Sequence, residues 1–210
     1  TPIQLTVDSL KIKYSDKLEV GQKDDFNKSL KIIAKQIKQI ENLVNEFSDF
    51  ARMPKPILKN NNLVALMEEN INLIKELDRS ISIIFNTNME DIILNSDNEQ
   101  LSRAFFNIIK NSFESIQEKR ANNKDFKGKI EISLNDNISN INFIIVDNGL
   151  GFGIFKDNIK NILNPYFTTK KKGTGLGLAI VNKIINDHNG SIDFIPIVNG
   201  AKIKINFIKW

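Results

Sequence analysis

Three groups of residues in the 210-residue chain have types and spacings suited to holding a polyanionic ligand. Asn107 and Asn111 are four positions apart, so on a helix both carboxamides project from one face. Two neutral, oxygen-bearing side chains one turn apart suit a hydrated Mg²⁺, which keeps several waters and takes few protein ligands when phosphates supply the rest. In a chain this rich in asparagine the same pair also arises by chance. The second group is Asp147-Asn148-Gly149-Leu150-Gly151, directly after the apolar run Ile141 to Val146. A carboxylate at a strand end accepts a hydrogen bond from an exocyclic amine, and glycines let the backbone approach a flat ring or turn sharply. An ordinary Asp-Asn-Gly turn has the same composition. The third group, Gly173-Thr174-Gly175-Leu176-Gly177-Leu178, opens a helix expected over Leu178 to Asp187. Alternating glycines free backbone N–H groups to point inward, and the helix N-terminus behind them favours negative charge. That is a phosphate cradle. The adjoining Lys170-Lys171-Lys172 run is either a phosphate neighbourhood or a solvated loop.

The elements that must carry these groups narrow the choice of nucleotide fold. A dinucleotide-binding turn needs its glycines in a parallel β-α-β unit, with an acidic residue about 20 positions later. Here the glycines follow a long segment, 148–175, rich in Gly, Asn, Lys and Thr, and the chain closes in a hairpin expected over Ser191–Ile195 and Ala201–Phe207. A P-loop is disfavoured as well, because Leu176 and Gly177 stand where Lys and Ser or Thr are required. Upstream, the hydrophobic period predicts helices over Leu63–Leu77 and about Asn98–Arg120. Ser96-Asp97 caps the second of these, whose apolar side carries Leu101, Phe105, Ile108 and Ile109. Strands are expected at Ser82–Phe85, Ile92–Leu94, Ile130–Leu134 and Ile141–Val146, the last suited to a sheet centre, and a helical turn near Asp157–Leu163.

The first fifty residues have a different period. Phe26, Leu30, Ile33, Ile37, Ile40, Val44, Phe47 and Ala51 alternate steps of four and three, a heptad seam. Asp24 or Asp25 is the expected cap, and Pro54 and Pro56 end the helix after Arg52. A shorter amphipathic helix is expected over Ile3–Leu18, with Gly21 in the connection. The resulting antiparallel hairpin leaves a seam that either a second copy covers, as a dimeric four-helix bundle, or the chain's own following domain.

Composition excludes several classes. The chain is 41% hydrophobic and 26% charged, as in soluble globular proteins. No apolar run approaches the roughly 18 residues of a membrane span, and no secretory signal is visible. Without cysteine there is no disulfide or thiolate metal site, which fits a cytosolic setting. The net charge of +4 comes from scattered lysines, so nucleic acid is not an expected partner. The sole histidine, His188, lies before Gly190 at a helix end and is expected to be a cap or surface residue whose positive charge suits the helix dipole.

In order, Asn107/Asn111, Asp147/Gly149/Gly151 and Gly173/Gly175/Gly177 resemble the N, G1 and G2 boxes of the GHKL superfamily. Asn164-Pro165-Tyr166-Phe167-Thr168-Thr169-Lys170 is similar to its intervening F box. The resemblance covers residues 56–210 and implies an α+β fold, a two-layer α/β sandwich of Bergerat type, behind the helical hairpin. It implies that Asp147 binds the adenine amine, that Asn111 ligates Mg²⁺ and that Asn107 supports the phosphates of ATP. The remaining ATP-binding positions it implies are Lys110, Gly149, Gly151, Thr168, Lys170, Gly173, Thr174, Gly175, Leu176, Gly177 and Leu178, under a lid of about residues 152–174. Hydrolytic members of the superfamily carry a glutamate where this chain has Asn107, which points to the histidine kinase branch. Glu46-Phe47-Ser48-Asp49-Phe50-Ala51-Arg52-Met53-Pro54-Lys55-Pro56 is similar to the hairpin exit of NtrY-type nitrogen-regulation sensors. The domains so implied are 1–53, a dimerisation and phosphotransfer hairpin, 54–58, a linker, and 59–210, the catalytic ATP-binding domain. The phospho-acceptor histidine is then expected about seven residues before Thr1, so that the chain is an N-terminally truncated kinase unable to phosphorylate itself. The resemblance further implies a homodimer, a receiver-domain response regulator (NtrX-like) as partner, and a cytoplasmic location within an inner-membrane sensor. A nucleotide-switched dimerisation module without kinase activity and a GHKL ATP hydrolase are the alternatives.

Overall fold

The change of hydrophobic period near Pro54 coincides with a division of the chain into two units, Thr1–Met53 and Pro54–Trp210. The computed structural model describes residues 2–152, 159, 161–168, 170 and 173–209, with Val20 given by its backbone alone.

The first unit is a helical hairpin of α1 (Pro2–Tyr14), a 3₁₀ turn (Ser15–Lys17) and α2 (Val20–Ala51). Val7 and Leu30 are buried, and Ser15 Oγ donates to Asn27 Oδ1 at 3.2 Å. The first helix ends before Leu18, and the second begins earlier than its acidic pair suggested. Gly21 lies in the first turn of α2, Glu19 precedes it without a side-chain cap, and Asp24 and Asp25 cap nothing. Because α1 has 13 residues and α2 has 32, α1 covers only the start of the seam. Leu30 is buried, whereas Ile33, Ile40, Val44 and Phe47 are exposed.

In the second unit β2 (Ser82–Thr87), β4 (Lys129–Asp136), β5 (Asn140–Asp147), β7 (Gly200–Ile208) and β6 (Gly190–Ile197) form one sheet in the order β2-β4-β5-β7-β6. Only the β2–β4 pair is parallel. The central strand is β5, the apolar run that suited that place. Its residues alternate strictly between buried and half-buried, so one face of the sheet is covered. The cover is α3 (Leu63–Leu77), α4 (Asn98–Asn122) and α5 (Gly177–Asp187). This is the two-layer α/β sandwich. Leu101, Phe105, Ile108 and Ile109 of α4 are fully buried, and the Phe105 and Phe143 ring centroids are 5.0 Å apart. The same register that buries Ile141, Phe143 and Ile145 also turns Asp147 inward, in a row with Ile130 and Ala201.

Two further strands form a separate antiparallel sheet, β1 (Lys59–Asn62) with β3 (Ile93–Ser96). The sequence of β1 is Lys-Asn-Asn-Asn and carries no apolar alternation, so it has no strand signal of its own; pairing to β3 extends it. Asn62 then caps α3, its Oδ1 accepting from Val64 N–H at 2.9 Å. Asp97 caps α4 through Gln100 N–H at 3.1 Å, and its other oxygen accepts from Ile57 N–H at 2.9 Å. Burial pushes this carboxyl up, but those two N–H donors outweigh it and hold it below the ordinary value.

Candidate nucleotide-binding site

The site is built along one side of α4. Asp147, at the end of β5, is 4% exposed, and its Oδ1 accepts from Gly149 N–H at 2.9 Å. Burial raises its carboxyl above the ordinary carboxylate value, countered in part by Gly149 N–H, the Ser112 hydroxyl, Ala201 N–H and Lys119. Ser112 is buried beside it; its Oγ makes no hydrogen bond of good geometry, yet its hydroxyl is near enough to favour the anion.

One turn further along α4, Ser115 Oγ accepts from Leu150 N–H at 2.9 Å. After another turn, Lys119 Nζ donates to the carbonyls of Asn148 and Gly149 at 2.7 and 2.9 Å, over the Phe126 ring. Ser115 and Lys119 thus fasten the Asp147–Gly151 loop to the helix. Neither was singled out from the sequence. The signal was there as a four-residue ladder, Asn107, Asn111, Ser115, Lys119, which places one polar stripe along the helix. Gly151 adopts φ 72° and a Cβ there would meet the Gly200 carbonyl oxygen at 2.4 Å, so the loop also rests on the β6–β7 turn.

Asn107 and Asn111 are half-buried on that stripe and Lys110 is exposed. Lys110 Nζ lies 3.9 Å from Glu114 Oε1. Lys170 Nζ donates to Asn111 Oδ1 at 3.1 Å and is ion-paired with Glu114 Oε2. Among the described residues no three His, Cys, Asp or Glu side chains gather as a metal cage. An oxygen-seeking ion at Asn111 would take its other ligands from phosphate and water, as Mg²⁺ does. The donor set fits that ion.

The glycine loop leads into α5. Lys170 N–H donates to Thr168 Oγ1 at 3.1 Å, Gly173 N–H to the Lys170 carbonyl at 3.0 Å and Leu176 N–H to Thr174 Oγ1 at 3.4 Å. Tyr166 N–H donates to the Gly175 carbonyl at 3.0 Å, closing the F-box segment against the loop. Leu176 is buried, Leu178 half-buried, and Gly177 begins α5 one residue earlier than expected. Among the described residues, a Cβ at Gly177 would meet nothing within 4 Å. Thr169, Lys171, Lys172 and much of the expected lid, including positions 157, 158 and 160 of its helical turn, lie outside the described residues; residues 161–163 do form a helical turn.

His188 ends α5, as expected of a cap, but it is not at the surface. It is 6% exposed, its Nε2 accepts from Asp97 N–H at 2.9 Å, and its Nδ1 faces the Ile184 carbonyl at 2.8 Å. With Nε2 accepting, Nδ1 carries the only ring proton. The imidazole joins the end of α5 to the start of α4.

A one-sided α/β sandwich with an asparagine stripe, a buried strand-end aspartate and a glycine loop ahead of a helix defines a class of ATP-binding protein. Residues 96–208 match the family of histidine kinase-, DNA gyrase B- and HSP90-like ATPases, and the chain belongs to it. Within that family it is similar to sensor histidine kinases. It is 35% identical over 208 residues to the NtrY-like sensor histidine kinase of Rickettsia prowazekii (strain Madrid E), covering 99% of this chain and 33% of that protein. The chain therefore spans about a third of that relative's length. Among solved structures it is similar to the nucleotide-free catalytic domain of histidine kinase ThkA, with a TM-score of 0.62 and 29% identity over 72% of this chain and 95% of that one. A longer ThkA chain, solved in complex with the response regulator protein TrrA, shares the fold over 100% of this chain and 58% of its own, with a TM-score of 0.71 and 23% identity.

Proposed function

We propose that the chain is the kinase core of a two-component sensor: it binds ATP with Mg²⁺ and delivers the γ-phosphoryl group to a histidine of the full sensor that is not among these 210 residues. A response-regulator aspartate then takes the phosphoryl group. One observation carries this reading: a single face of α4 brings Asn107 and Asn111 into line with the anchored Asp147 loop. Asp147, held by Gly149 N–H, is placed to accept from the exocyclic amine of adenine. The N-terminus of α5 at Gly177 offers N–H groups to phosphate. Asn111 would hold the metal, which when bound neutralises phosphate charge. Asn107 supplies an amide where activating a water would need a base. Its place on the stripe favours transfer to a bound nucleophile over hydrolysis, and phosphoryl transfer rests mainly on positioning and charge.

The expected result with γ-labelled ATP is ATP–Mg²⁺ binding without an acid-labile label on this chain, because His188 is its sole histidine and both ring nitrogens are engaged. Appearance of a stable acid-labile label on the 210 residues would overturn that account. Steady multiple turnover in water would favour the hydrolase reading instead.

The exposed stretch of the α2 seam supports an added role as a homodimer interface. Polar residues in place of Ile37 and Val44 are expected to convert a dimer into a monomer, read as a halved mass in light scattering. An unchanged mass would count against the dimer. The receiver-domain partner, NtrX-like by the resemblance, accords with the complex of ThkA with the response regulator protein TrrA. Among the described residues no helix is long and apolar enough to cross a membrane. The inner-membrane association proposed for the full sensor would rest on other segments.

A further inference from the structure

Glu114 is not among the residues read as holding ATP or the metal, yet it shares a cation with the residue assigned to the metal. Asn111 and Glu114 are three apart on α4 and so lie on the same face. The Lys170 ammonium sits on both, 3.1 Å from Asn111 Oδ1 and ion-paired with Glu114 Oε2. Both members of that ion pair are only about a third exposed, at 35% and 38%. The other Glu114 oxygen faces Lys110 at 3.9 Å. A neutral oxygen and an anionic one thus converge on a single cation. These are the donor types that a hydrated Mg²⁺ takes from protein.

We propose that Glu114 is a positioning residue of the Mg²⁺ site, and that Lys170 is a built-in cation standing where the metal's charge will be. This rests on the ATP–Mg²⁺ reading above. Asn111 Oδ1 cannot serve the ammonium and the metal together, because two cations on one oxygen repel strongly in a partly dry site. Loading therefore drives Lys170 off Asn111 toward the phosphates. Glu114 keeps a positive partner throughout: first the ammonium, then the metal, through one of the waters Mg²⁺ retains. Partners of this outer kind typically set metal affinity by about 10- to 100-fold. Lys110 stays on the far oxygen, 3.9 Å away.

The test is calorimetric titration of ATP into the full 210-residue chain, at a series of Mg²⁺ concentrations and in EDTA. Glu114→Gln is expected to raise the Mg²⁺ concentration for half-maximal tightening by about tenfold or more. In EDTA its ATP affinity should be at least that of the unaltered chain, since a carboxylate near the phosphates is gone and Lys170 is released. Glu114→Asp should restore part of the Mg²⁺ response. Lys170→Met should bind ATP more weakly in EDTA but respond to less Mg²⁺, having lost the competing cation. A Glu114→Gln chain with an unaltered Mg²⁺ dependence overturns the proposal, as does equal weakening with and without metal, which would mark a purely structural residue. Failure of the unaltered chain to bind ATP under any of these conditions would remove the nucleotide reading itself, a separate and recognisable result.

Discussion

Asp147→Asn is expected to weaken ATP binding by about 100-fold or more while leaving the unliganded fold at least as stable. The carboxylate is 4% exposed, and Gly149 N–H fixes its orientation. An amide of the same shape keeps one acceptor but loses the charge, and charge-assisted hydrogen bonds are roughly twice as strong as neutral ones. If the amide nitrogen faces the adenine amine, two donors meet. The stability half follows from the direction of the carboxyl's shift. Burial raises it in the folded chain above its ordinary value of 3.8. A group shifted that way stabilises the fold fully below its unfolded value, and that contribution is lost as pH rises through the raised folded value. At neutral pH the ionised, buried Asp147 is thus a net cost that Asn does not incur. Melting at pH 7 should be at or above that of the unaltered chain, and the gap should close as pH falls toward 4. A variant that loses both binding and thermal stability at pH 7 would show that Asp147 holds the sheet end together and has no specific role toward ligand.

The second large effect is expected at a residue no motif contains. Gly200, the first residue of β7 after the β6–β7 turn, has φ 121°, and a Cβ there would stand 1.7 Å from the Asp147 carbonyl oxygen and 2.9 Å from Asn148 Cα. Both neighbours are backbone of the loop that carries the aspartate, and backbone cannot swing aside like a flexible side chain. Gly200→Ala should therefore cost about 3 kcal/mol of unfolding free energy, from combined strain and displacement. It should also lower ATP affinity, because relief of the clash moves Asp147. Urea denaturation with calorimetry on the same samples checks both. Unchanged stability would mean that the turn and the loop are not in contact as described.

These two residues differ in how far the sequence reveals them. Asp147 was legible because it follows a long apolar run and stands among glycines. The strand period then determines that it points the same way as Ile141, Phe143 and Ile145. Asn107 and Asn111 were legible for a similar reason, since a helical period puts them on one side and Leu101, Phe105 and Ile108 on another. Gly200 gave no such sign. Its role comes from β7 pairing with β5 across more than fifty residues of chain, which brings Ala201 opposite Asp147.

Some failures have equally definite causes. Strand β1 lacks any apolar alternation and exists because β3 supplies hydrogen-bond partners. The start of α2 was set too late because an acidic pair looks like a cap, yet nothing before it breaks the helix. His188 looked like a solvated helix end; only the packing of α5 beside α4 shows that its Nε2 meets Asp97 N–H.

The sequence by itself determined the periodic and the local: helix and strand types, the phosphate-seeking glycine loop, the inward aspartate, and the family to which the chain belongs. Local sterics and hydrophobic periodicity act over a few residues, so they can be read from neighbours. Only the tertiary structure decided which distant groups meet. Ser115 and Lys119 hold the Asp147 loop, Gly200 supports it from behind, and Lys170 reaches Glu114 from 56 positions away. Such contacts depend on strand order and helix packing across the whole unit, and no spacing along the chain records them.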